Sequence, residues 1–204
     1  MGRPLLIAAM MAGAALLLLW STGEGEEEGD APYSGPDLID QANAIIDDWT
    51  DMNKTNAAGD PNVYAFLGML RVSEGTAGPN GYRTLVGGTL FDSFADHPRV
   101  LIALPNLGIK SSAAGAFQML ARTWDGVRAK LGLPDFSPAS QDRAAIELIR
   151  QRGALADVRA GRFAVAIQKC RKEWASLPGA GYGQRENKLA SLQAAYLRAG
   201  GVLA

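Results

Sequence analysis

Residues 67–76 read L-G-M-L-R-V-S-E-G-T, and the glutamate at 74 falls where an apolar stripe ends. Val63, Phe66, Leu67 and Leu70 recur three and four apart, the spacing of one buried helix face, which predicts a helix over 61–74. A carboxyl at the end of such a face is partly withdrawn from water, and desolvation favours the neutral acid. An acid that stays protonated near neutral pH can give its proton to a leaving group. The competing reading is a solvated glutamate in a last turn closed by Gly75. Other reactive side chains are sparse. Cys170 is the single cysteine and His97 the single histidine, which excludes an intrachain disulfide and a zinc site of the usual kind. Cys170 shares helical spacing with Phe163, Ile167 and Trp174 and reads as a buried thiol. His97, between Asp96 and Pro98, reads as a turn residue hydrogen-bonded to its neighbours rather than a catalyst.

The elements that must position Glu74 follow from periodicity and punctuation. After the helix and an AGPNG turn, residues 82–104 read as short strands: YRTLV, a Gly87-Gly88 turn, TLF, then RVLIAL. Helices are predicted at about 112–131, 138–152, 162–176 and 184–199, separated by Gly153, Gly161 and the loop LPGAGYG. The fold class expected is α+β, mainly α: a helical bundle with a small β-hairpin lobe.

The net charge of −1 conceals an asymmetry. Residues 1–59 carry 2 basic and 10 acidic side chains, residues 60–204 carry 18 and 11. A boundary therefore falls near Gly59-Asp60-Pro61, and the basic part suits a polyanionic partner. Its basic residues are scattered and match no nucleic-acid motif, so nucleic acid is not the expected partner. Residues 4–20, PLLIAAMMAGAALLLLW, hold no charge; Arg3 precedes them and Glu24, Glu26, Glu27, Glu28 and Asp30 follow. Such a run is at the short edge of what spans a bilayer, with the N-terminus inside. Residues 1–22 are read as a signal-anchor or a cleaved signal peptide, and 23–59 as an acidic linker. That linker holds one short helix, over 36–53, with Leu38, Ala42, Ile45, Trp49 and Met52 on one face. Residues 60–204 are read as the catalytic domain.

The segments SEGT, GYRTLVGGTLF, FADHPR, GAFQ followed by WD, LGLPDFSPASQD, RGAL and WASLPGAGYGQ succeed one another over residues 62–199. In order and spacing they resemble the bacteriophage lambda endolysin family of lytic transglycosylases, within the lysozyme superfamily. The resemblance implies a lysozyme-like fold and makes Glu74 the single catalytic acid/base. It would protonate the glycosidic oxygen between N-acetylmuramic acid and N-acetylglucosamine. The carboxylate would then take the proton of the muramoyl 6-hydroxyl as that group closes on its own anomeric carbon. No cofactor or metal is implied. The partners implied are glycan strands of peptidoglycan and, through the N-terminal segment, the bacterial inner membrane; a monomer is expected. The chain would sit there with its catalytic domain in the periplasm, later to be released.

Gln118 matches the glutamine lining the family's cleft, with a buried amide pinning the hairpin to a helix as the alternative. Phe117 stands beside it where the family has tyrosine, and Asn80 where it has histidine. Tyr82 and Tyr182 are candidates for sugar stacking. For Tyr82 hairpin packing is the equal alternative; Tyr182 lies in a Gly-rich loop that would not bury it. Three rivals remain: a muramidase pairing Glu74 with Asp92 or Asp96 as second carboxylate, a secreted or virion-associated wall-cutting enzyme with a cleaved leader, and a non-catalytic wall-binding protein, against which the retained Glu74 speaks.

Overall fold

The computed structural model describes residues 60–105, 108–182 and 186–204. The apolar run 4–20, the acidic linker and the helix expected over 36–53 lie outside the described residues. Among the described residues no helix is long and apolar enough to cross a membrane.

The first helix, α1 (Pro61–Ser73), starts where Asp60 accepts a hydrogen bond from the Asn62 amide at 3.0 Å, with Pro61 in the first turn. Val63, Ala65, Phe66, Leu67, Met69 and Leu70 are buried, so α1 runs through the core rather than along its edge. It ends because Gly75 turns left-handed at φ 70°, letting the Thr76 amide reach back to Arg71 O at 2.8 Å and the Gly75 amide to Val72 O at 3.2 Å. That termination leaves Glu74 as the capping residue.

The bundle continues with α2 (Ala121–Leu131), α3 (Pro138–Gln151), α4 (Leu155–Arg159), α5 (Phe163–Cys170) and α6 (Leu189–Arg198). Helices α3, α4 and α6 pack on α1. A large core includes Phe66, Phe117, Trp124, Phe136, Phe163, Trp174 and Tyr196, with the buried Cys170 thiol inside it. Burial pushes that thiol up to about 12, so it is inert.

The hairpin lobe is a two-stranded antiparallel sheet, β1 (Ile102–Leu104) with β2 (Ile109–Ser111), in the register Ile102↔Ser111, Ala103↔Lys110, Leu104↔Ile109. It closes a small second core of Val86, Leu104 and Ala113. The strand expected over 82–86 is instead a 3₁₀ turn at Gly81–Arg83 and an isolated bridge from Thr84 to Leu90. Its backbone groups are spent on the loop that follows: Val86 N donates to Ala113 O and Thr84 O accepts from Gly115 N, both at 2.9 Å. The helix expected from 112 begins only at Ala121, because Gly115 at φ 78° and Gln118 at φ 46° cannot continue one. Likewise α5 stops at Cys170 and α6 starts at Leu189, both shorter than the periodicity suggests.

Candidate active site

Glu74 is 1% exposed. The last turn of α1 delivers it, and the segment after α5 supplies its neighbours. Ser176 Oγ donates to Glu74 Oε1 at 2.6 Å. Ser176 Oγ lies 2.7 Å from Ser73 Oγ, and the Asn187 side-chain nitrogen lies 3.1 Å from Ser73 Oγ. Among the described residues no cation pairs with the carboxyl. Burial drives its pKa up, the Ser176 hydrogen bond draws it partly back, and it settles at about 7. A carboxyl so placed is half protonated at neutral pH and can serve as acid, then as base. Of the two readings of a helix-end glutamate, the structure gives the desolvated one.

The loop of residues 115–118 is bound to the turn after Glu74. Thr76 Oγ donates to Ala116 O at 2.5 Å, Trp174 Nε1 to Phe117 O at 3.2 Å, and the Ala116 amide to Gln141 Oε1 at 2.8 Å. Gly115 is obligatory there, since a Cβ would lie 2.3 Å from Gln141 Oε1. Gln118 is 1% exposed, and its Nε2 donates to Thr84 O and Gly115 O at 3.0 Å each. The amide thus ties its own loop to the turn at Thr84, where the alternative expected it to pin the hairpin to a helix. Its Oε1, however, has no hydrogen-bond partner among the described residues. A buried residue held at positive φ with an unspent acceptor is strain of the kind found at binding sites.

Phe117 is a correction: at 0% exposure it is wholly inside the large core and presents nothing to a sugar. Its side chain supports the loop from behind. Tyr82 is half-buried, donates to Asp142 Oδ1 at 2.8 Å and lies beneath the Arg71 guanidinium, 4.7 Å from the ring centre. That is the packing alternative, and it ties the hairpin side to α3. Tyr182 is half-buried, its exposed hydroxyl donating to Lys172 O at 3.2 Å and the Lys172 ammonium 5.3 Å from its ring.

Neither candidate second carboxylate is poised. Asp92 is exposed on the hairpin side. Burial pushes the Asp96 carboxyl up, but hydrogen bonds from Trp124 Nε1, the His97 amide and Arg99 outweigh this and bring it down to about 2. Arg128 adds an ion pair at 2.9 Å. His97 is buried in the same turn: its Nδ1 accepts from the Arg99 amide at 3.0 Å, which leaves Nε2–H to donate to Met119 O at 2.9 Å. Its structural reading holds. Two further carboxyls are raised by burial: Asp142, to about 6, against the lowering effect of the Tyr82 hydroxyl and Arg71, and Glu173, against that of Arg152.

Sequence reasoning missed Ser73, Ser176 and Asn187. Ser73 adjoins the acid and Ser176 lies within the quoted WASLPGAGYGQ, but hydroxyls and amides carry no spacing signature. Only their convergence in space identifies them.

The sequence pattern defining the Endolysin family matches residues 64–203. The endolysin of Escherichia phage P2 is 50% identical over 155 residues, covering 69% of this chain and 94% of that protein. The endolysin of Escherichia phage lambda is 50% identical over 145 residues, covering 68% and 91%. Among solved structures, bacteriophage lambda lysozyme complexed with a chitohexasaccharide aligns with a TM-score of 0.67 and 47% identity, covering 72% of this chain and 97% of that one. The lysozyme from bacteriophage lambda aligns with a TM-score of 0.66 and 46% identity, covering 72% and 99%.

Proposed function

The chain belongs to the endolysin family, and from that premise we propose that it cleaves the glycan strands of peptidoglycan by lytic transglycosylation, with Glu74 as acid and then base. The observation that carries the reading is the surroundings of Glu74: full burial, a neutral hydroxyl as its hydrogen-bond partner among the described residues, and a pKa near 7. A group balanced at neutral pH can protonate the glycosidic oxygen and, left as carboxylate, accept the proton of the 6-hydroxyl. The bond to the leaving sugar breaks, the C1–O6 bond forms, and no water is consumed. Glycoside hydrolysis ordinarily requires a second carboxylate to hold water or form a covalent intermediate. The exposure of Asp92 and the ion pairs of Asp96 with Arg99 and Arg128, which keep it charged at neutral pH, support the route that needs one carboxylate alone.

Glycan binding is supported by the solved relative bound to a chitohexasaccharide. Gln118 Oε1, an acceptor unspent among the described residues, has the chemistry to take the N–H of an N-acetyl group but lies buried and would have to be uncovered to do so, whereas Tyr182 offers a half-buried ring with an exposed hydroxyl. Mass spectrometry of fragments released from purified peptidoglycan tests the reaction. Anhydromuramic ends, lighter by one water and inert to borohydride, are expected. Reducible ends carrying oxygen from labelled water would make the enzyme a hydrolase.

Residues 1–63 precede the family match. Their uncharged run after Arg3 and before an acidic segment supports an N-terminal signal-anchor that exports the enzyme before it acts on the wall. Fractionation should find the full-length chain first in the inner membrane and later in the periplasm; a shortened soluble form alone would establish a cleaved leader.

A further inference from the structure

We propose that Asn187, Ser73 and Ser176 form a one-way chain of hydrogen-bond donors that confines the acidic proton of Glu74 to Oε2 and steadies the carboxylate left behind. They are positioning residues, and the inference rests on the reading of Glu74 as acid and base.

The direction of the chain is settled at its far end. One atom of the Asn187 side-chain amide faces two backbone carbonyls, Ser73 O and Ser176 O, at 3.2 Å each. Carbonyl oxygens only accept, so that atom is the NH₂ group and not the amide oxygen. The same nitrogen lies 3.1 Å from Ser73 Oγ, so its two hydrogens serve three oxygens and one is shared between two of them. An amide nitrogen does not accept, so Ser73 Oγ accepts from it and has its own hydrogen left for Ser176 Oγ, 2.7 Å away. Ser176 Oγ, already accepting, turns its hydrogen to Glu74 Oε1 at 2.6 Å. The reverse order would end with the Ser73 hydroxyl donating to a nitrogen that has no lone pair to offer.

Two consequences follow for the acid. A carboxylic proton ordinarily exchanges between its two oxygens; here Oε1 is occupied as an acceptor, so the proton resides on Oε2. Once that proton leaves, the charge on Oε1 meets a donor whose oxygen is itself polarised by a second donor, and hydrogen bonds in series strengthen one another. These donors are neutral, whereas an ion pair would hold Glu74 permanently ionised.

The backbone is arranged to bring Asn187 home. The Asn187 amide donates to Ser176 O at 2.8 Å, closing the segment between them, and the Glu186 carboxylate accepts from the amides of Gly179 and Gly181 at 2.7 Å each. Ser73 is the last residue of α1 and comes from the opposite direction. Three points in the sequence, at 73, 176 and 187, thus converge on one oxygen of residue 74.

The test uses the full-length protein, with kcat/KM on purified peptidoglycan followed against pH and the Glu74 carboxyl titrated by ¹³C NMR, its signal assigned by loss in Glu74→Gln. Ser176→Ala removes the donor, so the ionised form loses support. The Glu74 midpoint and the alkaline limb of activity should both rise by about one pH unit, the scale of one charge-assisted hydrogen bond. Ser176→Thr keeps a hydroxyl and should restore both. Ser73→Ala, the loss of a single oxygen atom, and Asn187→Ala should shift the midpoint the same way by less, in that order. If Asn187→Ala does not fold, Ser73→Ala alone decides. Titration curves superimposable on wild type in Ser176→Ala or Ser73→Ala overturn the proposal, whatever happens to activity. Activity retained in Glu74→Gln overturns the functional reading instead, and the NMR midpoints still report on the chain.

Discussion

Glu74 at the end of α1 and Asp96 in the turn before the hairpin sit in surroundings that send the same functional group in opposite directions. Glu74 is sealed in with a serine hydroxyl and rises to about 7. Asp96 is part-exposed, meets Arg99 and Arg128, accepts from Trp124 and the His97 amide, and falls to about 2. The difference is the charge of the partners. Neutral donors leave a buried carboxyl close to the balance between its two forms, which is a condition for proton transfer. Cations remove that balance and turn a carboxylate into a fastener, here one that holds the hairpin turn to α2 directly through Trp124 and Arg128 and, by way of Arg99, through Asp125.

Exchanging each carboxyl for its amide breaks the comparison most sharply. Glu74→Gln should lose about 10²–10⁴-fold or more of wall-clearing activity, the range for general acid catalysis, while its circular dichroism stays native. Asp96→Asn should keep most of its activity and lose about 1 kcal/mol of stability, a modest amount because its ion pairs face solvent. Near-normal clearing by Glu74→Gln, or abolition by Asp96→Asn in a folded protein, would reverse the assignment of roles.

The pH dependence of stability separates the two sites next. Glu74 has a folded pKa above its unfolded value of 4.5, so its contribution is fully present below about pH 4.5 and is lost as pH rises through about 7. Glu74→Gln should therefore be more stable than wild type at pH 8 by a few kcal/mol, and the gap should close toward pH 5. Asp96 has the opposite sign. Its contribution is present above about pH 3.8 and is lost as pH falls toward 2, so Asp96→Asn should match wild type only in strong acid. Thermal melts of both variants across pH 2–8 measure the two slopes. Activity should decline as pH rises past about 7, where the acid form of Glu74 is lost.

The sequence made one of these environments legible and not the other. The apolar run Val63, Phe66, Leu67, Leu70 fixes a buried helix, and Gly75 fixes where it stops, so Glu74 can be located from local rules. Asp92 and Asp96 looked equivalent as second carboxylates because what separates them is tertiary. Trp124, Asp125 and Arg128 lie about thirty residues downstream and reach the turn only after α2 packs. The same limit hid the donors around Glu74, drawn from 73, 176 and 187. It also misplaced the hairpin: YRTLV and TLF have the composition of strands and pair through one bridge, but Thr84 O and Val86 N are claimed by residues 113–115, which no local rule foretells. Phe117 was misassigned because a motif position tells which residue matches and not which way its side chain points.

A smaller version of the same comparison lies in two tyrosines. Each has a cation over its ring and a hydroxyl that donates, to Asp142 for Tyr82 and to Lys172 O for Tyr182. Both are half-buried, but their hydroxyl hydrogen bonds differ, part-buried for Tyr82 and exposed for Tyr182. Tyr82 packs against the large core and its acceptor is a carboxyl pushed up to about 6, so Tyr82→Phe leaves Asp142 with less support for its charge and should cost about 1 kcal/mol. The hydroxyl of Tyr182 is at the surface, where water replaces the lost hydrogen bond, and Tyr182→Phe should change stability by less than about 0.5 kcal/mol. Its ring is the part offered to a sugar, so Tyr182→Phe should leave KM unchanged. Tyr182→Ala should raise KM several-fold, with kcat and melting temperature held within error. Initial rates on a soluble glycan oligomer, with melts on the same preparations, decide it. An unchanged KM in Tyr182→Ala would take this ring out of the glycan site and leave Gln118 as the binding residue to pursue.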